Sequence, residues 1–481
     1  MKYESKMFDV GLLGTGLGGL IAAARLAREN HSVLVLKEKR YQPSFKREGF
    51  SFTPFSNFSE KRITSNLLKQ ILSPEDSVES RKQTGKREPI VFSQVILPEA
   101  RIDLYQEFSV LQREWRREFP EELEKIEQLH AELGRIREHL KMLKRKEPPD
   151  SFFPVRRRSL IKRWFPLDGL PKIRVEQKLA SFSSEFQKFF ELQLISRGNQ
   201  LSVGFPLSLV SYLLFHGEED QWISEPPLEK GIQGLLKTLA PSGGRVEEIE
   251  GVESVEMQRK RGFTLHLKGD ERMIRCRTLI LNAPLHCVSS LFEKRRRVFS
   301  PWIKKIRPSY ILVPIFLGIR DKVIPVGMRD LLVSIQNLEK PFDAGNLILL
   351  ALSRRGAEDQ APVGKRALTV MGFKSFDGSE KGDLTDFQEG VKNHLAHLFP
   401  FLENHIEFID RTWAESQMVC WSYPHYVYHI DSEFQWQEGI VPIRLSKNLF
   451  FTGKESFPYL GVEGEILSGR MVGEEISKKL G

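Results

Sequence analysis

Apolar and polar positions change their period at both ends of this 481-residue chain. Phe8–Leu13, FDVGLL, is an unbroken apolar run of the kind a strand buried on both faces requires. GTGLGG follows, and LIAAARLARE continues as an alanine-rich helix. His31 and Ser32 make a turn, and Val33–Leu36 is a second short apolar strand. At the other end NLFFTG predicts a strand and GEILSGRMVGEEI a helix with small residues on its packing face. A loop with Gly461 and Gly464 joins them. In between, Leu123, Ile126, Leu129, Leu133, Ile136, Leu140 and Leu143 recur at threes and fours, which predicts an amphipathic helix with charged flanks. Such a stripe docks on its own domain or serves as a coiled-coil arm for a partner. Tyr310–Ile319 predicts a buried strand too short to span a bilayer. Residues 76–92 are polar and charged and predict a loop.

The N-terminal strand–turn–helix–strand carries chemistry. Within the turn Gly14, Thr15, Gly16, Leu17, Gly18, Gly19, the glycines at 14, 16 and 19 have the G-x-G-x-x-G spacing. The first glycine permits a tight turn, the second a close backbone approach to a pyrophosphate, and the third close helix–strand packing. The helix then aims its positive end at that pyrophosphate. Such a unit wants an acid at the end of the second strand to hold a ribose. Here Lys37 stands in that place and Glu38 follows. One step along a strand turns a side chain to the opposite face. A curled strand end would return Glu38 to the ribose, whereas Lys37, Lys39 and Arg40 would suit a 2′-phosphate. A solvated charged loop is the third reading.

Composition narrows the class. Apolar residues make up 40% of the chain, so it is globular. The net charge of +9 favours an anionic ligand or surface. Cys276, Cys287 and Cys420 form no CxxC pair, which argues against a zinc site or disulfide scaffold and fits a reducing compartment. No signal peptide is evident, and the expected location is cytoplasmic.

Several segments together resemble the phytoene desaturase, carotenoid isomerase and retinol saturase group of FAD-dependent oxidoreductases, within the wider amine-oxidase-like superfamily. They are DVGLLGTGLGGLIAAARLA, LFFTGKESFPYLGVEGEILSGR, residues 231–255, residues 279–286, residues 352–370 and REFPEELEKI. The resemblance implies an α/β fold: a Rossmann-like FAD-binding domain with a parallel sheet, and a discontinuous substrate domain of mixed sheet and helices. On motif placement the FAD-binding part covers 1–75, 228–300 and 440–481. The substrate part covers 76–227 and 301–439, with a charged helical segment near 110–146. FAD is the implied cofactor. Its implied contacts are the Gly14–Gly19 turn, Glu38 at the ribose, Val252 at the adenine, and Asn282 and Ala283 near the pyrophosphate. Gly453 and Lys454 stand at the last strand end, and Gly461 and Val462 in the loop under the flavin. Lys37 and Lys454 stand where the family has acids, each followed by a glutamate. Pro43–Phe45 replaces the family's glycine pair, and GFSFTPFSNF lacks its usual Asp and Gly. A lysine at 454 would hold an anionic pyrophosphate by charge.

The implied partner is an apolar, isoprenoid-like small molecule. SFFPVRRRSLIKRWFPL, residues 151–167, and FEKRRRVFSPWIKKIR, residues 292–307, mix basic residues with large rings. That mixture suits an anionic membrane surface, and peripheral attachment is expected. No nucleic-acid-binding fold is evident. CWSYPHYVYHID lies near the substrate face of the flavin by resemblance, with His425 or His429 as a proton partner. Two other readings remain: a flavin-free prenyl-binding carrier similar to the Rab GDP-dissociation inhibitors, and an amine-oxidase-like activity.

Overall fold

The computed structural model describes residues 3–60, 63–64, 91–145, 173–201, 204–215, 222–223, 227–258, 262–292, 297–376, 384–418, 420–422, 425–430 and 439–481. Two sheets organise them. In the first, the parallel strands lie in the order Gly244–Ile249, Val33–Glu38, Tyr3–Leu13, Met273–Leu281 and Leu449–Phe451. Val252–Gln258 and Gly262–Leu267 continue this sheet as antiparallel strands along the first half of Met273–Leu281. Val10, Leu12, Leu13 and Val33–Leu36 are fully buried, because helices and neighbouring structure cover both faces. The apolar runs of the sequence follow from that burial. The α/β fold class read from the sequence is the one observed.

The second sheet has eight strands. Its order is Ile406–Asp410, Ile306–Arg320, Lys365–Ser375, Leu347–Leu352, Leu331–Ile335, Val91–Ile96 and Arg101–Tyr105, with Tyr426–Ile430 also paired to Ile306–Arg320. The Tyr310–Ile319 run lies between the edge strands Ile406–Asp410 and Tyr426–Ile430 on one side and Lys365–Ser375 on the other, in register with the latter from Tyr310↔Ser375 to Arg320↔Lys365. Aromatic side chains tie the two sheets together just after the second parallel strand. Phe45 stacks on Trp413 at 5.5 Å and meets Phe316 edge-on at 5.0 Å. This is what the Pro43–Phe45 departure does: it anchors the chain where glycines would let it turn freely.

The amphipathic stripe docks on its own chain. Ile126, Leu129, Leu133, Ile136 and Leu140 of helix Leu123–Arg145 are buried, and Ser211 of helix Leu207–Phe215 donates to the Leu133 carbonyl at 2.6 Å. The basic–aromatic segment 151–167 lies outside the described residues. In the second such segment, Phe292 and Phe299 are buried and pack at 5.1 Å, and Trp302 rests on the core. The rings of Phe292 and Phe299 belong to the core, and Trp302 is half-buried.

Helix Leu17–Arg28 and the terminal helix Gly461–Leu480 cross backbone to backbone. A Cβ on Gly469 would lie 2.2 Å from the Gly18 carbonyl oxygen, and one on Gly18 would lie 2.4 Å from Thr452 Oγ1. The neighbours there are backbone and buried side chain, so neither gives way. Gly469→Ala is therefore expected to destabilise the protein by roughly 1–3 kcal/mol in urea unfolding. Gly134, inside helix Leu123–Arg145, has nothing among the described residues within 4 Å of its added Cβ. Gly134→Ala is expected to raise stability by up to about 1 kcal/mol in the same assay.

Candidate active-site cleft

The parallel strands end facing the second sheet, and a cleft of about 560 Å³ opens there. Open α/β sheets bind ligands at the carboxyl ends of their strands, and this volume lies in the range of ligand clefts. Gly14 has φ of 107°, and its Cβ would lie 2.2 Å from the Asn282 carbonyl oxygen. A Cβ on Gly16 would lie 2.5 Å from Asn282 Oδ1, and one on Gly19 2.8 Å from the same side chain. Asn282 is thus the hub of the turn. Its N–H donates to the Leu13 carbonyl at 2.8 Å and its Nδ2 to the Thr452 carbonyl at 2.9 Å. Its Oδ1 is buried with no hydrogen-bond partner among the described residues. Helix Leu17–Arg28 begins directly after Gly16, which has extended geometry and no capping side chain.

The structure brings some expected residues together at the cleft and leaves others behind it. Thr15, Gly16, Leu17, Asn282, Ala283, Gly453 and Lys454 line it. Gly14, Gly18 and Gly19 shape the turn and the helix crossing from behind. Val252 is buried at the start of its strand opposite Leu267 and does not reach the lining. Gly461 and Val462 are buried at the start of the terminal helix, also behind the lining. There Gly461, with φ of 53°, serves the turn into that helix.

Glu38 is corrected more sharply. The strand stays regular, so Lys37 faces the cleft and Glu38 faces away. The Glu38 carboxyl accepts from the N–H groups of Trp421 at 3.3 Å and Ser422 at 3.0 Å. Burial pushes it up to about 7. Its role is to hold the 421–422 turn. The basic cluster is also answered from within: Lys37 pairs with Glu248 at 2.8 Å and Lys39 with Glu250 at 3.1 Å. A 2′-phosphate would have to break those pairs.

Lys454 lines the cleft, but its ammonium is committed. It donates to Ser56 Oγ at 2.8 Å, Glu60 Oε1 at 2.8 Å and His425 Nδ1 at 3.0 Å. An ammonium has three protons and no acceptor, so His425 accepts at Nδ1 and carries its own proton on Nε2. This corrects the expectation of a direct pyrophosphate contact. Burial alone would raise the Glu60 carboxyl, but the Lys454 ammonium outweighs it and holds the group at about 2. Two further acids stand nearby that sequence reading passed over. Glu455 is buried, accepts from the Leu285 N–H at 2.6 Å, and is pushed by burial up to about 7. Glu465, also buried and raised by burial to about 7, lines the cleft beside Leu17. A glutamate among the small residues of GVEGEILSG was the available signal for it. Of the two histidines named from sequence, only His425 lines the cleft.

The chain matches the family described as flavin containing amine oxidoreductase over residues 64–477. It belongs to that family. Three solved structures show the same fold across nearly the whole chain. An oxidoreductase from Methanosarcina mazei aligns with a TM-score of 0.59 at 15% identity, covering 97% of this chain and 99% of its own. Wild-type putrescine oxidase bound to putrescine aligns at 0.61 and 13% identity, covering 99% of both chains. Cyclohexylamine oxidase from Brevibacterium oxydans IH-35A aligns at 0.57 and 13% identity, covering 99% of this chain and 100% of its own. No curated protein matches the chain by sequence. The protein is an FAD-dependent oxidoreductase. The residues present fit that cofactor: a glycine turn with no room for a Cβ, a helix start with no cap of its own, and an orphaned acceptor on Asn282 suited to a sugar hydroxyl. Glu465 is the exception, a carboxyl on the lining beside the glycine turn.

Two consequences are measurable. Lys454→Met leaves Glu60 buried without its cation, and is expected to cost roughly 3–5 kcal/mol in urea unfolding. The second concerns pH. Glu38, Glu455 and Glu465 hold their protons to about 7 in the folded chain but release them near 4.5 once unfolded. The native state then binds more protons across that window, so stability falls as pH rises through it. Each group contributes up to about 1.4 kcal/mol per pH unit. Glu60, held near 2, works in the opposite sense and loses its contribution below pH 4.5. Unfolding of the flavin-free protein is expected to show greatest stability near pH 5 and a decline to pH 7, shallower in Glu455→Gln. A rising profile over that range counts against it.

Proposed function

We propose that this oxidoreductase desaturates, saturates or isomerises an apolar, isoprenoid-like substrate. The carrying observation is the character of the cleft away from the glycine turn. Leu331, Ala351 and Leu352 of the second sheet face it, together with Ile232, Leu236 and Phe55. Asp330, the acid on that wall, is paired with Arg366 at 2.5 Å, and Glu60 is neutralised by Lys454. An ammonium substrate would find these acids engaged, whereas an apolar chain would bury its surface against the wall at about 25 cal/mol per Å².

The flavin, when bound, supplies hydride acceptance or donation. The chain's own residues do the rest. The turn from Gly14 to Leu17, with Asn282, Ala283 and Gly453, holds the dinucleotide. The apolar wall orients the substrate and excludes water, which favours hydride transfer over side reactions. His425 keeps a proton at Nε2 on the cleft lining, which suits it as the proton partner of an isomerisation or saturation step. An apolar substrate dissolved in a bilayer also favours a cytoplasmic protein attached peripherally to an anionic membrane, with segment 151–167 as the contact.

Anaerobic mixing tests the reading. Acyclic prenyl or polyene substrates, presented in detergent, are expected to change the flavin's visible spectrum: bleaching for a desaturase, or reoxidation of the pre-reduced flavin for a saturase. Product analysis of the prenyl substrate detects isomerisation. Bleaching by putrescine or cyclohexylamine, with no spectral change or product from any prenyl substrate, overturns the proposal in favour of amine oxidation.

A further inference from the structure

The helix start at Leu17 carries a carboxyl supplied by the other end of the chain. Glu465 lies in the first half of the terminal helix, buried, on the same cleft lining as Gly16 and Leu17 and with its backbone against Gly18. Exposed amides at a helix start, together with the helix dipole, form a ready anion seat. Gly16 offers no side-chain cap, so Glu465 fills this role in the flavin-free chain. A pyrophosphate laid along the same turn would meet that carboxylate head-on. The backbone that carries Glu465 is held close to Gly18. Its own backbone carbonyl lies 2.7 Å from where a Gly18 Cβ would stand, and four residues on, Gly469 is against the Gly18 carbonyl. The helix that carries it is fixed by that crossing.

We propose that Glu465 is a built-in stand-in for the cofactor's pyrophosphate, and that FAD binds by neutralising it, with the uptake of one proton at its carboxyl. In the bound state the neutral carboxyl stays in place and donates its O–H to a phosphate oxygen. Burial already brings this group to about 7 in the flavin-free protein, so the proton is available near neutrality. A phosphate beside it raises its proton affinity further. The charged and titratable groups around it are Lys454 at the last strand end, Glu60 on the Ser56–Glu60 segment, and His425, Tyr41 and Tyr428. Lys454 and Glu60 offset each other, and Glu455 reaches Tyr428 from the far side. None of these is removed by a change at 465, so the difference between variants isolates Glu465.

The test is FAD titration of flavin-free protein, followed by flavin fluorescence between about pH 6 and 9. Wild-type affinity is expected to fall by up to about tenfold per pH unit above 7, the slope of a single linked proton. Glu465→Gln keeps the shape and the hydrogen-bonding groups but cannot ionise. It is expected to bind FAD at least about tenfold more tightly than wild type near pH 8.5, with a slope shallower by one proton. Calorimetry of the wild type at about pH 8, in two buffers of different ionisation enthalpy, is expected to show close to one proton taken up per FAD. That measurement stands even if the variant folds poorly. Parallel slopes in the two proteins, weaker binding by a folded Glu465→Gln, or no proton uptake overturns the inference alone. Absence of FAD binding in both proteins overturns it together with the cofactor assignment.

Discussion

Everything at the cleft depends on how closely the first and last helices approach. Gly18 and Gly469 bring two backbones into contact, and the added Cβ distances of 2.2–2.8 Å show that no other residue is accommodated there. That crossing fixes the terminal helix over the first strand–turn–helix. It therefore fixes Leu449–Phe451, Gly453 and Lys454 relative to the glycine turn, although more than 400 residues separate them in sequence. Asn282 then ties the three strand ends together through the Leu13 and Thr452 carbonyls. Chain ends distant in sequence become one rigid rim, which is what a cofactor-orienting site requires.

The electrostatics follow from that rigidity. Charge buried in such a rim is costly unless it is matched. Lys454 satisfies Glu60, Ser56 and His425 at once, and Lys37 leans on Glu248. Glu38 and Glu455, which form no ion pair among the described residues, instead accept from backbone N–H groups and keep their protons toward neutral pH. The lysines that replace family acids are thus absorbed into internal pairs.

The parallel sheet was legible because burial on both faces forces unbroken apolar runs, as in FDVGLL and VLVL. The glycine turn was legible because its spacing encodes steric demands met only by glycine. The docking of helix Leu123–Arg145 was legible as a stripe, since a 3.6-residue period records which face is covered. What escaped was decided by partners far along the chain. Whether Glu38 faces a ribose depends on the 421–422 turn, 383 residues away, whose N–H groups need an acceptor. Whether Lys454 is free depends on Glu60 and His425. No local period records those pairings. The rings of Phe292 and Phe299 look the same in sequence whether they enter a membrane or the core; only the sheet beneath them decides.

Glu465 shows why such long-range pairings matter for function as well as fold. A helix start that binds a phosphate must also be stable without one, and uncapped buried amides are costly. Surface helices solve this with water or a local Ser, Thr or Asp cap. A helix that begins on glycine inside a cleft has neither. The terminal helix supplies the missing acceptor, and the same crossing that builds the cofactor seat occupies it with a carboxyl. A group with a proton affinity near neutrality can accept amide hydrogen bonds as a carboxylate, or sit beside a phosphate as an acid. The chain thereby reconciles a stable empty site with a fillable one, using the protonation state of one side chain rather than the movement of a loop.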